Sequence, residues 1–268
     1  MPVDYQAFYI ALFGLTGLLL GSFLNVCIYR IPRDLSVITP RSFCPECGIQ
    51  IAWYDNIPLL SYFLLRRRCR SCARQIPSRY PLVELTTSVL FALVASEYGW
   101  TLAAFKWCVF EAVLVALFWT DLEERILPDE FTLGGTAAGL VFAVFVPVPS
   151  AAGTLLLPAA RTVWQSLLGA AIGAILLVAP IWTVGALYAW VRKREGLGLG
   201  DVKLLLLIGV FLGFERGLFA MLIGTIGGSL LGAVYILAKR RNPSTYELPF
   251  GTFLCAGAGL VPFLSKWF

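Results

Sequence analysis

The sequence predicts an all-α polytopic membrane protein of about eight transmembrane helices, with a small cytoplasmic zinc-binding domain between helices 1 and 2. Three observations carry this expectation. Hydrophobic residues make up 59% of the 268-residue chain and charged residues 14%, with a mean hydropathy of +0.80, far outside the range of water-soluble proteins. Long uncharged stretches recur, and about 20 helical residues suffice to cross a hydrocarbon core. Four of the seven cysteines fall in the one extended polar region.

Residues 5–29 carry no charge and predict the first helix, within a first segment 1–30. It reads as a retained helix rather than a signal peptide, because no Lys or Arg precedes it and no small-residue cleavage site follows. Residues 31–80 are polar, contain prolines and hold the cysteine quartet. About 50 residues is small for a self-sufficient core, so a metal or the membrane face must help to order this domain. The remainder, 81–268, reads as one helical bundle. Its expected helices are 82–99, 101–120, 131–160, 162–191, 202–214, 217–238 and 248–265. The second and third contain Glu84, Glu97, Lys106 and Glu111, and 202–214 is short enough to be a half-helix or a strongly tilted one. Val146-Pro147-Val148-Pro149-Ser150 marks an outward turn. Gly224, Gly227, Gly228 and Gly232, with Ser229, put small residues on one helix, the usual means of close packing in lipid.

Basic residues orient the chain. Of 21 Lys and Arg, 17 lie in 30–80, 121–130, 191–203 and 239–241, and only Lys106, Arg161, Arg216 and Lys266 lie elsewhere. An eight-helix path puts all 17 on one side, which the positive-inside bias makes cytoplasmic, with both termini outside. The net charge of +5 is thereby explained by topology and calls for no nucleic-acid partner. The same charges also suit anionic lipid.

Cys44-Pro45-Glu46-Cys47 and Cys69-Arg70-Ser71-Cys72 form two C-x2-C knuckles separated by 21 residues. Two knuckles supply a tetrahedral S4 site, and four sulfurs leave no open position, so Cys44, Cys47, Cys69 and Cys72 predict a structural Zn2+ rather than a catalytic one. On a cytoplasmic face the thiols stay reduced and available for metal. Arg66, Arg67, Arg68 and Arg70 favour thiolates and offset the charge of the tetrathiolate. Cys27, Cys108 and Cys255 lie in apolar segments and read as small core residues.

The chain has no histidine. Histidine bases, Ser-His-Asp triads and Cys-His dyads are excluded, which leaves paired carboxylates as the simplest hydrolytic machinery. Asp201 follows Gly198-Leu199-Gly200 at the mouth of an apolar run, and Asp121 closes the apolar helix ending Phe118-Trp119-Thr120. Carboxylates there are costly to desolvate and read as functional. Gly198 and Gly200 would let an extended peptide backbone come close. Helix dipoles should raise the proton affinity of Asp121, at a helix C-terminus, and lower that of Asp201, at an N-terminus. On that basis Asp201 starts as the ionised base and Asp121 as the acid, with a shared water attacking a peptide carbonyl. The residues alone also suit a proton or cation site in a coupled transporter, and a zinc-stabilised assembly scaffold is a non-catalytic alternative.

At these residues the chain resembles the prepilin peptidases, the type IV leader peptidase family of GxGD membrane aspartic proteases. Besides the quartet and the two aspartates, the resemblance rests on Gly21-Ser22-Phe23-Leu24-Asn25-Val26, Tyr29-Arg30-Ile31-Pro32, Trp53-Tyr54-Asp55-Asn56-Ile57-Pro58, Ser61-Tyr62, Arg79-Tyr80-Pro81-Leu82-Val83-Glu84-Leu85, Leu127-Pro128-Asp129, Gly196 to Leu204 and Pro249-Phe250-Gly251. It implies eight helices, catalytic Asp121 and Asp201, and a cytoplasmic zinc domain. The implied substrates are prepilins and the pseudopilins of type II secretion, which carry a short basic leader, a glycine before the scissile bond and an apolar helix after it. The leader would reach the 31–80 domain. The implied setting is the bacterial inner membrane, with cleavage near its cytoplasmic face. Many members also methylate the new amino terminus with S-adenosylmethionine through the N-terminal cytoplasmic segment. This chain departs from the bifunctional pattern at Arg67, where glycine is usual, so a peptidase without methyl transfer is the alternative.

Overall fold

The computed structural model describes residues 3–156, 162–193, 198–239 and 248–267. Arg161, Arg194, Gly196, Leu197, Arg240 and Arg241, used in the sequence reading, lie outside them. Among the described residues the regular elements are helices, with two isolated bridges in place of strands. Nine α-helices follow in order among them: α1 Val3–Arg30, α2 Leu60–Leu64, α3 Arg79–Tyr98, α4 Leu102–Glu124, α5 Asp129–Phe145, α6 Ala151–Leu156, α7 Thr162–Arg192, α8 Leu199–Lys239 and α9 Phe250–Leu260. Four of these stretches are long and apolar enough to cross a membrane: Tyr5–Arg33, α4, α7 and α8. The chain divides into two compact units, Met1–Ala116 and Leu117–Phe268, with the boundary inside α4.

In the N-terminal unit α1 lies directly on α3. A Cβ at Gly17 would stand 2.7 Å from the Thr87 carbonyl oxygen, and one at Gly21 2.7 Å from Glu84 Cα. Backbone contact of this kind replaces the hydrophobic drive that lipid does not supply. Asn25 Nδ2 donates to the Tyr80 carbonyl at 3.0 Å, and Glu84 Oε2 accepts the Leu59 N–H at 2.7 Å. Leu59 holds a left-handed φ of 59°, so a buried carboxylate fixes the turn that leads from the polar segment into α2.

In the C-terminal unit α7 and α8 meet through glycine. A Cβ at Gly173 or Gly209 would fall within 2.8 Å of the opposing backbone. Ala143, Val148, Ala170, Ala174 and Val210 form the buried core around this crossing. The expected turn at 146–150 follows α5, and Ser166 Oγ secures it by accepting the Val148 N–H at 2.9 Å and donating to the Ala143 carbonyl at 2.7 Å.

Helix α8 is two helices in one. Gly213 takes φ 76°, ψ −177° and breaks the helical path, and a Cβ there would meet the Pro149 carbonyl oxygen at 2.9 Å. The stretches 199–212 and 214–239 on either side correspond to the separate segments expected at 202–214 and 217–238. Three of the four glycines singled out in the latter carry packing. Gly224 abuts the backbone of Leu254, Gly228 the ring of Phe253, and Gly232 the side chain of Leu248, whereas Gly227 has no neighbour within 4 Å.

Candidate active site and metal centre

Both aspartates belong to the C-terminal unit. Asp121 sits in the last turn of α4 and is 6% exposed. Asp201 is the third residue of α8 and half-buried. The charge of Asp121 acts directly on Asp201, so the two carboxyl groups lie within electrostatic reach. Each has a structural reason for its position. The N–H of Asp201 closes a turn on the Gly198 carbonyl at 3.2 Å, and Arg125, at φ 58°, ends α4 with its N–H on the Asp121 carbonyl at 3.1 Å.

The partner that sequence reasoning missed is Thr252. It is the third residue of α9, where backbone N–H groups have no intrahelical acceptor. Its N–H donates to Asp121 Oδ2 at 2.6 Å and its hydroxyl donates to the same oxygen at 2.8 Å. Oδ2 is thus engaged by Thr252, whose hydroxyl also lies 3.3 Å from the Phe118 carbonyl oxygen. Gly251 permits the approach, since a Cβ there would lie 3.1 Å from Asp121 Cγ and 3.0 Å from Leu127 Cδ1. The motif Pro249-Phe250-Gly251 was the available signal, and the residue just after it makes the contact.

The two expected approach glycines differ. Gly198 is exposed, and its nearest neighbour is Asp201 Oδ2, 3.4 Å from a Cβ position. The open face of Gly200 is filled by Leu127, whose Cβ lies 3.1 Å from that position. Leu127 therefore wedges between Gly200 and Gly251, beside Asp121. Its neighbour Asp129 begins α5 and takes both carboxylate oxygens to Lys203 Nζ, at 2.6 and 2.8 Å. This ion pair fastens the start of α5 to α8, two residues beyond Asp201.

The cysteine quartet also converges, within the N-terminal unit. The four Sγ atoms of Cys44, Cys47, Cys69 and Cys72 lie within 4.8 Å of one another, and Cys44 Sγ to Cys72 Sγ is 3.9 Å. Tetrahedral zinc with Zn–S near 2.3 Å requires sulfurs roughly 3.8 Å apart, so the set fits the ion. The knuckles repeat one backbone pattern. Cys44 N–H donates to the Ile49 carbonyl and Gly48 N–H to that of Cys44, as Cys69 N–H does to Arg74 and Ala73 N–H to Cys69, all between 2.8 and 3.0 Å. Gly48 and Ala73, at φ 71° and 56°, hold the same left-handed corner. Backbone N–H donors from Cys72 and Ser71 bring the Cys69 thiol down to about 7, toward the thiolate that a metal needs. At Cys72 the lowering backbone hydrogen bond of Arg74 is outweighed by desolvation and the crowding of neighbouring thiols, which push it up to about 11. Arg70 makes a bidentate pair with Asp55, at 2.7 and 2.6 Å, tying the second knuckle to the turn Trp53–Asn56.

Arg66 and Arg67 have φ of 51° and 63°. Both are in the left-handed region that glycine enters without steric cost. The glycine usual at the Arg67 position thus has a backbone explanation independent of methyl transfer.

A cavity of about 380 Å3 in the N-terminal unit runs from α1 to the polar segment, lined by residues that include Ser22, Phe23, Arg30, Arg41, Trp53 and Asn56. Its lining has no carboxylate to receive the ammonium or ribose hydroxyls of S-adenosylmethionine. The donor set does not fit that cofactor, and no residue is assigned to it.

Membrane-length helices and two aspartates within electrostatic reach of each other suit the class of membrane-bound carboxylate enzymes. Comparison with known proteins makes the class specific. Residues 15–98 match the bacterial peptidase A24 N-terminal domain, and residues 108–237 match the type IV leader peptidase family. The chain belongs to the type IV leader peptidase family. It is 41% identical over 231 residues to the prepilin leader peptidase/N-methyltransferase of Myxococcus xanthus, a match covering 85% of this chain and 64% of that protein. It is 35% identical to the protein of that name from Pseudomonas putida, over 92% of this chain and 88% of the relative. For the Neisseria gonorrhoeae protein of that name the identity is 33%, over 88% and 85%. No solved structure gives a significant match.

Proposed function

We propose that this protein is an inner-membrane aspartic endopeptidase that removes the basic leader from type IV prepilins and pseudopilins and then N-methylates the new terminal residue. The observation that carries the reading is the paired site: Asp121, held by Thr252, within electrostatic reach of Asp201 in a family of leader peptidases. The names of the relatives support both activities. A transporter would use similar carboxylates, but neither the family nor its relatives point that way.

The residues support the following chemistry. A water between the carboxyl groups loses a proton to one aspartate while its oxygen bonds to the scissile carbonyl carbon. The other aspartate donates a proton to the carbonyl oxygen. Collapse of the tetrahedral species breaks the C–N bond, and the amine leaves with a proton from the pair. The contacts from Thr252 to Oδ2 suit Asp121 to the acceptor role, which would leave Asp201 to carry the initial proton. That order is the reverse of the one expected from the helix ends alone. The N-terminus of α9 brings its own positive dipole end to Asp121 and offsets the C-terminal end of α4.

The eight-span path remains our reading of the topology. The break at Gly213 supports it by making two segments of α8. In this path both termini lie outside and residues 31–80 lie in the cytoplasm, where Cys44, Cys47, Cys69 and Cys72 would hold one structural Zn2+. The metal would supply folding stability, not chemistry.

The test uses detergent-solubilised full-length protein and a purified prepilin. Mass spectrometry of one product reads both activities. Leader loss with a mass increment of about 14 Da, one methyl group replacing a proton, is expected on the new terminus. An intact precursor would overturn the peptidase reading, and an unmethylated product would restrict it to cleavage.

A further inference from the structure

The cavity between α1 and the polar segment has a chemistry that neither peptide cleavage nor methyl transfer uses. One wall is the lipid-type face of α1, with Leu19, Phe23 and Val26. The floor is basic. Arg30 is 4% exposed and anchored, its guanidinium donating to the Ser36 and Arg41 carbonyls at 2.8 and 3.2 Å and stacking over Phe43. This latch fixes the 36–41 loop and sets Arg41 at the cavity's edge. The Arg41 guanidinium has no ion-pair partner among the described residues and is exposed. Ser22, Ser42 and Asn56 add hydroxyl and amide groups.

The mouth is apolar on both sides, with Ile38 84% and Trp53 72% exposed. Further along the segment Leu60, Phe63 and Leu64 are also exposed, and the run Arg66-Arg67-Arg68 follows them in sequence. An aromatic and aliphatic rim followed by cations is the pattern of a surface seated in the headgroup layer. The volume lies within the roughly 300–1,000 Å3 of ordinary ligand pockets. Two cations and no carboxylate repel a basic leader. They attract an anion, and the apolar wall demands that the anion carry a hydrocarbon tail.

We propose that this cavity binds one anionic phospholipid, its phosphate held by Arg41 over the Arg30 floor and one acyl chain lying along Leu19 and Phe23. The inference does not depend on the peptidase reading. It gives the polar segment a fixed lipid contact beside the quartet.

Native mass spectrometry of the full-length protein tests it, with added phosphatidylglycerol, phosphatidylcholine of the same chains, or inorganic phosphate. One phosphatidylglycerol per chain is expected to bind in preference to phosphatidylcholine. Arg41→Gln should weaken it about fivefold, the value of one basic side chain near an anionic surface. Arg41→Lys should retain binding, as should Arg216→Gln, which lies outside the cavity. Equal binding of phosphatidylcholine would reduce the site to an apolar trough and overturn the proposal. Displacement of the lipid by millimolar phosphate would make it a small-anion site and overturn it as well. Displacement by a prepilin helix would reassign the cavity to substrate and equally overturn it. Unchanged phosphatidylglycerol binding in Arg41→Gln would also refute it, and the spectrum reads that result on folded protein alone.

Discussion

Thr252 gives both its backbone N–H and its hydroxyl to one oxygen of Asp121, across 131 residues of sequence, at 2.6 and 2.8 Å. The contact anchors the Asp121 carboxyl to the start of α9. Hydrogen bonds to a charged acceptor contribute about 1.5–3 kcal/mol each. Thr252→Val keeps the backbone donor and removes the hydroxyl. It should lower kcat about tenfold or more with KM little changed, and Thr252→Ser should restore it. A serine variant as poor as valine would mean that the methyl packing, not the hydroxyl, matters.

Gly200 faces Leu127 so closely that an added methyl group would stand 3.1 Å from its Cβ, and Leu127 would have to move by a few tenths of an ångström. Gly200→Ala should cost about 1–3 kcal/mol of stability by overpacking. Adding Leu127→Ala should recover much of the thermal loss through their coupling. On the proposed approach of the substrate backbone past Gly200, cleavage should stay low in the double variant. Full recovery of cleavage would make Gly200 a packing residue only.

The left-handed corners of the polar segment make a separate set of expectations. Gly48→Ala should destabilise the first knuckle by about 1–2 kcal/mol, whereas Ala73→Gly should be neutral or slightly stabilising, with both read as the temperature of zinc release. Arg67→Gly should raise that temperature and leave the ratio of methylated to cleaved product unchanged. A rise in methylation on restoring glycine would show that arginine there limits methyl transfer.

The Arg70 guanidinium holds the Asp55 carboxyl below the usual carboxylate range. For a depressed carboxylate the stabilising contribution is present above its ordinary value, about 4, and lost as pH falls through the lower folded value. From about pH 5 to about pH 8, therefore, the difference in melting temperature between the wild type and Asp55→Asn should stay constant. A gap that narrows within that window would show that another group titrates with the pair.

Much of this site was legible in the sequence for chemical reasons. Asp121 and Asp201 stood out because a carboxylate beside an apolar run has no cheap reason to be there. The quartet stood out because its spacing matches one tetrahedral ion. The break at Gly213 falls near the boundary between the segments expected at 202–214 and 217–238. Thr252 was not legible, since its donors matter only where the start of α9 meets the end of α4. The helix-end argument for the proton order left out a third helix end for the same reason, since the start of α9 also lies at Asp121. The left-handed backbone at Arg67 was equally hidden, although the unusual residue itself was noticed.

The most direct test compares Asp121→Asn, Asp201→Asn and the double variant in prepilin cleavage, with folding checked by circular dichroism and zinc content. Residues that act as one unit lose function together rather than additively. Each single variant should therefore be as inactive as the double, while all three remain folded and zinc-bound. Substantial cleavage by either single variant would contradict a mechanism in which Asp121 and Asp201 share one water.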